Sequence, residues 1–252
     1  MPTFRAELHV HTVLSPCAEV EMIPPLIVQE ALDRGIQIIA ITDHNASANV
    51  EAVQQAAAGT DLTVLPGMEV QTQEEVHALC LFDTLEQLAA WQRRVSRSLP
   101  PLENNAELFG EQFVVDGEGE FIRRETQLLL TSANLSIDDI HREVTRLGGL
   151  LIPAHVDRKA FGLFANLGLA PVEISIEAME ISRHLAVEDA PRRFPQLRAY
   201  PLIQSGDVHR LEEFLGVNQF EIEAPTVAEL RKALKKEAGR SYRVLRPLPQ
   251  GN

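Results

Sequence analysis

Six of the eight histidines in this chain lie in short motifs whose residue types could hold metal ions. His9 and His11 are two residues apart on an apolar segment, and the period of a strand puts both side chains on one face. Neutral imidazole and carboxylate are the main protein ligands of zinc, manganese and iron. The candidate ligands in this pattern are His9, His11, His44, Glu69, His77, His155, Asp207 and His209.

Two carboxylates in these motifs are candidates for catalysis. Asp43 directly follows the apolar run 36–41, where it could bind a metal or orient a neighbouring ligand. Glu69 follows the apolar run 62–66, and a carboxylate, unlike an imidazole, can bridge two cations. We therefore predict Glu69 and Asp43 as the catalytic residues. The two remaining histidines fit a solvated helix and a strand end and are set aside.

Arg158 and Arg183 are candidates for binding substrate. Each follows an apolar segment close to a candidate ligand motif. A planar guanidinium suits a phosphate through its fork of N–H donors. A surface ion pair is an equally good interpretation of each, so the sequence leaves both roles open.

The ligand motifs need a fold that gathers the ends of strands. Apolar strand-like runs alternate with amphipathic segments, and one helix begins at Pro24-Pro25 and ends near Gly35. This alternation predicts an α/β protein whose parallel strands are joined by right-handed crossovers, with the site at their carboxyl ends. The predicted strands are 4–10, 36–41, 62–66, 76–82, 150–153, 178–181, 201–203 and 220–223, and the predicted helices are 24–34, 48–58, 84–98, 136–147 and 226–237.

One segment, about 84–130, breaks the alternation. It combines a helix at 84–98 with Pro100-Pro101 and a hairpin centred on residues 116–119. We interpret it as an insertion, or cap segment, in a single domain that covers residues 1–240. Residues 241–252 are then a polar, proline-containing C-terminal tail.

Composition narrows the function. The net charge of −13 argues against a protein that grips long nucleic acid, although a small phosphorylated substrate fits. Two cysteines, Cys17 and Cys80, are too few for a disulfide scaffold. No apolar run approaches the 18 or so residues of a membrane span, and the first residues lack a signal core. We expect no membrane partner and a cytoplasmic location.

Taken together, five motifs resemble the signature of the polymerase and histidinol phosphatase (PHP) superfamily, in order and in spacing. They are His9-Val10-His11, Thr42-Asp43-His44, Gly67-Met68-Glu69, Pro153-Ala154-His155 and Asp207-Val208-His209. The resemblance covers nearly the whole chain outside the insertion and the tail. It implies a distorted (β/α)7 TIM-like barrel with two or three divalent metal ions, of zinc, manganese or iron.

The resemblance also implies how the ligands are shared among three metal sites. In that scheme the first site uses His9, His11, Glu69 and Asp207, the second uses Glu69, His77 and His155, and the third uses His44 and His209.

The third site departs from the family pattern at Cys17. Relatives carry an aspartate or histidine a few residues past the His-x-His motif, where this chain reads Leu14-Ser15-Pro16-Cys17. A thiolate ligand would favour zinc or iron over manganese. The alternative is that Cys17 binds nothing and the third site is weak or empty.

We predict a metal-dependent phosphoesterase that hydrolyses a small phosphorylated substrate, a phosphomonoester or a nucleotide, with a hydroxide held between two metals. One alternative is a nuclease or 3′-phosphoesterase of the polymerase-associated type. Another is a non-catalytic, metal-stabilised scaffold, which the nearly complete ligand set counts against. A metal-dependent amidohydrolase ranks low, because residues 140–158 contain no lysine.

Overall fold

The computed structural model describes residues 1–246, which form an α/β fold. The strands are β1 (Thr3–Val10), β2 (Ile38–Ile41), β3 (Thr63–Gln71), β4 (His77–Leu81), β5 (Phe113–Val115), β6 (Phe121–Arg124), β7 (Leu150–Pro153), β8 (Met179–Ile181), β9 (Leu202–Gln204), β10 (Asn218–Glu221) and β11 (Ser241–Val244). The helices are α1 (Pro24–Asp33), α2 (Val50–Ala56), α3 (Leu85–Ser96), α4 (Ala106–Phe109), α5 (Ile137–Arg146), α6 (Leu163–Leu167), α7 (Ala190–Arg193) and α8 (Val227–Lys235).

The main sheet is mixed, so the prediction of a parallel sheet was wrong in part. Seven strands lie in the order β11-β10-β1-β2-β3-β4-β7. Only the β1–β2 and β2–β3 ladders are parallel, and the other four ladders of this sheet are antiparallel. The short connection between β3 and β4, residues 72–76, explains one reversal, because a parallel crossover needs a dozen or more residues.

The sheet curls into a half-barrel, and β8 and β9 lie between its two ends. The Val156 N–H donates to the Glu180 carbonyl at 2.9 Å, next to β7. On the other side, the His11 N–H, just after β1, donates to the Val208 carbonyl at 2.9 Å, beyond β9. The Asn218 side chain also donates to the Gln204 carbonyl at 2.8 Å. The curl therefore brings the residues that follow several strands to one edge.

Strand β3 is longer than predicted, and this corrects the position of Glu69. Its first half pairs with β2 and its second half pairs with β4, so Glu69 lies inside the strand rather than after its end. A side chain at Gly67, where the partner changes, would come within 2.8 Å of the Ile41 carbonyl. Because β4 is antiparallel, its first residue, His77, lies at the same edge as Glu69.

The predicted hairpin of the insertion is confirmed as β5 and β6, which pair antiparallel. It packs on the loops that follow β1 and β2. The Phe113 N–H donates to the Val13 carbonyl at 2.9 Å, and the Asn49 side chain donates to the Phe113 carbonyl at 3.0 Å. The hairpin thus borders the same edge of the half-barrel.

The C-terminal boundary predicted at residue 240 does not coincide with the end of the sheet. Residues Ser241–Val244 form β11, which pairs antiparallel with β10. The last part of the predicted tail, residues 247–252, lies outside the described residues. Within residues 1–246, no helix is both long and apolar enough to cross a membrane.

Candidate metal centre

The structure brings the predicted imidazoles and carboxylates together at one edge of the half-barrel, around Glu69. This carboxylate is fully buried. Five imidazole nitrogens lie within 3.5 Å of its two oxygens. The distances to Oε1 are 3.3 Å from His9 Nε2, 2.9 Å from His77 Nδ1 and 3.2 Å from His155 Nε2, and those to Oε2 are 3.5 Å from His11 Nε2 and 2.9 Å from His44 Nδ1.

Asp207 adds a second carboxylate to the cluster, close to the outer edge that we call its rim. Its Oδ1 lies 3.3 Å from His9 Nε2 and 3.4 Å from His11 Nε2. The half-buried His209 stacks on the His11 ring with 4.0 Å between centroids. Its Nε2 lies 3.1 Å from the sulfur of Cys17, an exposed residue. Cys17 therefore lies at the outer edge of the cluster.

Hydrogen bonds aim the nitrogens of His9 and His11 at each other. His9 Nδ1–H donates to Glu180 Oε1 at 2.9 Å, and His11 Nδ1–H donates to Ser15 Oγ at 2.9 Å. Because Ser15 in turn donates to Asp43 at 2.7 Å, its oxygen is an acceptor for His11. Both Nε2 atoms then face the cluster, 3.1 Å apart, and the neutral rings would offer their lone pairs to a cation there. A cation bound to both nitrogens at about 2.1 Å would hold them roughly 3.0–3.4 Å apart.

Buried atoms without hydrogen-bond partners also fit bound cations. Among the residues that the structure describes, His77 Nε2 and His155 Nδ1 are buried and have no hydrogen-bond partner. Buried polar atoms are normally satisfied, so unpartnered ones at a single place call for an explanation. Three groups place ligand atoms close enough to share one ion, namely His9, His11 and Glu69, then His44, Glu69 and His77, and finally His11, His44 and His209. This buried cluster could bind metal ions.

The imidazoles and carboxylates of the cluster strongly change each other's pKa values. Burial raises the pKa of Glu69, but the imidazoles of His77, His9 and His44 outweigh it and hold the pKa well below its usual value. Burial lowers the pKa of His9, but the carboxylates of Glu180, Glu69 and Asp207 outweigh it and hold the pKa well above its usual value. Glu69 is therefore ionised at neutral pH and ready to bind a cation.

A comparison with known families identifies the fold. The PHP domain model matches residues 7–157, which is more than half of the chain. The chain belongs to the PHP domain family. The match includes most of the cluster, and Asp207 and His209 follow it in the chain.

Solved structures share the fold of this PHP domain at low sequence identity. Endonuclease Q from Pyrococcus furiosus, a lesion-specific endonuclease, superposes with a TM-score of 0.73 and 21% identity, covering 96% of this chain and 58% of that chain. Endonuclease Q bound to a 27-mer duplex with an abasic lesion gives 0.68 and 19%, with 95% and 58% covered. A two-domain protein from Bacteroides vulgatus, containing a predicted PHP-like metal-dependent phosphoesterase, gives 0.55 and 15%, with 97% and 65% covered.

The chain spans less than three fifths of the length of the endonuclease Q structures. No curated protein sequence matches it. These likenesses therefore show the fold of the PHP domain and not its substrate.

Asp43 lies behind the PHP cluster rather than in it. It is fully buried, and burial raises its pKa. Its oxygens accept hydrogen bonds from the Thr12 N–H at 2.7 Å, the Thr12 hydroxyl at 2.8 Å and the Ser15 hydroxyl at 2.7 Å. Of the two roles left open by the sequence, this geometry favours the orientation of a ligand, His11, through Ser15.

The two predicted arginines differ in position. Arg158 reaches the rim, where its guanidinium donates to the outer oxygen of Asp207 and its side chain is 44% exposed. Arg183 donates to the Gly206 carbonyl at 3.0 Å and to Glu213 at 2.8 Å. Glu213 also accepts the His209 N–H at 2.8 Å, so Arg183 supports the loop that carries His209.

Two buried glutamates that support the cluster were not predicted from the sequence. Glu180 accepts hydrogen bonds from His9 and from the His155 N–H. Glu7 accepts N–H groups of Gly206, Leu215 and Gly216, each at 2.9 Å, and burial raises its pKa to about 7. The signal was a lone glutamate in an apolar strand, and in the case of Glu7 the period of two that it shares with His9 and His11.

Several residues of the site adopt a left-handed backbone without being glycine. They include Asn45, His155, Phe161 and Asp207, with φ of 51°, 29°, 59° and 50°. Such conformations persist when surrounding contacts impose them, and they tend to gather at functional sites. The Phe161 ring also stacks on His77 with 4.4 Å between centroids.

Proposed function

We propose that this PHP domain is a metal-dependent phosphoesterase acting on a small phosphorylated substrate, a phosphomonoester or a nucleotide. The observation that carries the proposal is the pair of Nε2 atoms of His9 and His11, 3.1 Å apart, with both Nδ1 atoms engaged elsewhere. Glu69 and Asp207 add carboxylate oxygens at the same place. This set of donors suits divalent cations. Bound cations would explain why so many imidazoles and carboxylates lie close together.

In this proposal the ligands divide into an inner and an outer group. Divalent ions, once bound, would lower the pKa of a water molecule and neutralise charge on the phosphoryl group. The proposed inner ligands are His9, His11, Glu69, His77, His155 and Asp207, and the proposed outer ligands are Cys17, His44 and His209.

Side chains around the cluster would bind and orient the substrate. Arg158 is exposed at the rim beside Asp207, where its fork of donors could bind the non-bridging oxygens of a phosphate. Phe161, which is 38% exposed and stacks on His77, would line the opening with an apolar face. Asp43 is buried and fully hydrogen-bonded, which counts against it as the proton donor to a leaving group.

We further propose that the predicted domain, extended from residue 240 to the end of β11 at residue 244, is one domain of the distorted (β/α)7 type, with the segment at about 84–130 as its cap. The contacts of β5 with the loops after β1 and β2 support this assignment. The cap would then shape the opening and limit the size of the substrate.

Hydrolysis assays with defined metal content test the proposal. Protein freed of metal with a chelator should be inactive, and zinc or manganese should restore turnover of p-nitrophenyl phosphate or of mononucleotides. The Glu69→Gln variant should stay inactive under the same loading. Failure of the fully loaded wild-type protein to turn over any phosphomonoester, phosphodiester or nucleotide would contradict the proposal.

A nuclease is the second candidate, favoured by the structural likeness to endonuclease Q, whose complex holds duplex DNA with an abasic lesion. The net charge of −13 counts against a long contact with phosphates. Salt dependence separates the two candidates. Activity of a nuclease that contacts several phosphates should fall steeply between about 50 and 200 mM salt, whereas turnover of a small phosphomonoester should change little.

A further inference from the structure

We infer that Glu180 is a positioning residue that fixes two of the proposed metal ligands, His9 and His155, from behind. The inference rests on the proposed metal centre and adds a residue that lies outside its ligand set. Glu180 is buried in the middle of β8, between two apolar neighbours, Met179 and Ile181. A carboxylate at such a position needs partners that compensate for its desolvation.

Those partners are two proposed ligands that belong to different parts of the sheet. Glu180 Oε1 accepts the Nδ1–H of His9, on β1, at 2.9 Å. The same oxygen accepts the backbone N–H of His155, just after β7, at 3.1 Å. One oxygen atom therefore joins β1, inside the main sheet, to the residues that follow its edge strand β7.

The contact with His9 determines which nitrogen faces the cluster. Because Nδ1 carries the hydrogen that Glu180 accepts, Nε2 is the nitrogen that the neutral ring would offer to a cation, on the side of Glu69 and Asp207, each 3.3 Å away. A carboxylate behind an imidazole also makes the other nitrogen a stronger ligand. Without Glu180, the ring of His9 could carry its hydrogen on Nε2 and lose its capacity to bind a cation.

The contact with His155 acts on the backbone. His155 has a φ of 29°, a conformation that L-residues rarely adopt. Its N–H is held by the Glu180 side chain, and the next N–H, of Val156, is held by the Glu180 carbonyl at 2.9 Å. These two bonds hold the turn that places His155 Nε2 3.2 Å from Glu69.

The other buried glutamate, Glu7, has a different role. All three of its hydrogen bonds come from backbone N–H groups of residues 206–216, and none comes from an imidazole. Glu180 Oε2 has no partner among the residues described, so the contacts of Oε1 are what explains the buried carboxylate. Glu180 is thus the glutamate whose removal should change ligand geometry directly.

Zinc competition against a chromophoric chelator tests the inference. Compared with wild-type protein, Glu180→Gln should bind its tightest zinc about 10-fold more weakly, and Glu180→Ala up to about 100-fold, as is usual for groups that support metal-bound histidines. Glu180→Asp should recover part of the loss. The matched control is Glu177→Gln, three residues away, which removes ion pairs with Arg231 and Lys235 and should leave zinc affinity within about 3-fold.

The outcomes separate this inference from the proposed function. If wild-type protein binds no zinc tightly, the proposed metal centre itself is wrong. If wild-type protein binds zinc and the folded Glu180 variants bind it equally well, the positioning role is wrong and the metal centre stands. A second measurement uses wild-type protein alone. Histidine NMR of the zinc-loaded protein should find the His9 hydrogen on Nδ1. A hydrogen on Nε2 would overturn the inference.

Discussion

The inner part of the cluster and its rim are built in different ways. Inside, Glu69 and His9 are fully buried, and His9 is held from behind by Glu180. At the rim, Cys17 is exposed and Arg158 is nearly half exposed. The fold therefore fixes the inner geometry before any ion or substrate binds, whereas the rim can adjust to what binds there.

The inner part of the cluster and its rim also differ in their electrostatics. A buried carboxylate among imidazoles depends on its partners, because an isolated charge in the interior is costly. An exposed pair such as Arg158 with Asp207 gives little stability and can exchange partners. Changes to the inner part should thus disturb metal binding, and changes to the rim should disturb substrate binding.

The largest effect is expected from Glu69→Gln, which removes the inner charge while keeping the shape. Since Glu69 contacts five imidazoles, we expect zinc affinity and activity to fall by more than about 100-fold, beyond the range for supporting groups. Isothermal titration with zinc and a phosphatase assay measure this. Glu51→Gln, on the exposed face of α2, is the control and should behave as wild type. Tight zinc binding by Glu69→Gln would contradict the proposed distinction between the inner part of the cluster and its rim.

A smaller loss is expected from Asp43→Asn, which tests whether support behind the cluster matters. An amide has one acceptor oxygen and cannot accept the hydroxyls of both Thr12 and Ser15 on two oxygens, as Asp43 does, so the contact of Ser15 with His11 would be disturbed. We expect zinc affinity to fall by about 10- to 100-fold. Asp139→Asn, at the first turn of α5, should lower thermal stability without changing zinc affinity. Equal zinc affinity in both variants would argue that Asp43 supports the fold alone.

The rim should respond in KM rather than in metal content. Arg158→Ala should leave bound zinc unchanged and raise KM for a phosphomonoester by about 10-fold, the equivalent of one charge-assisted hydrogen bond. Arg158→Lys should recover part of this loss. Steady-state kinetics at saturating zinc measure the KM of each variant. A fall in zinc content with unchanged KM would move Arg158 from the rim to the inner part.

The smallest change concerns the pH dependence of a thiol at the rim. Loss of hydration raises the pKa of Cys17, but the imidazoles of His44 and His209 outweigh it and bring the pKa to about 6. In metal-free protein the thiolate fraction, and with it the rate of alkylation, should rise with pH through about 6. Zinc should slow alkylation, and His209→Ala should move the midpoint upward.

Cys80 provides the internal control for this experiment. It is fully buried in β4, and burial raises its pKa. The Cys17→Ser variant should therefore have no rapidly alkylated thiol. A midpoint for Cys17 near that of an ordinary cysteine, about 8.5, would show that the histidines do not act on it.

Much of the cluster could be predicted because its ligands lie in local motifs. His9 and His11 share one strand face, and His155 and Asp207 follow strand ends, so the strand period and the expected gathering of strand ends predicted that they meet. The hairpin of β5 and β6 was also predictable, because Asp116-Gly117 is a local turn signal between two apolar runs.

What could not be predicted depends on pairing between distant segments. Whether β4 runs parallel or antiparallel to β3 decides where His77 lies relative to Glu69, and periodicity does not contain that information. The partner of Glu180 is 171 positions away in the chain, so only the curl of the sheet reveals the contact with His9. The family motifs contain the proposed ligands, but they do not contain Glu180, which supports two of them.

Anomalous diffraction from crystals of zinc-loaded protein tests the central claim most directly. We expect zinc peaks within about 2.3 Å of His9 Nε2, His11 Nε2 and a Glu69 oxygen, with Glu180 still hydrogen-bonded to His9. A further peak beside Cys17 and His209 would extend the centre to the rim. Zinc bound elsewhere, with none next to Glu69 at full loading, would contradict the account.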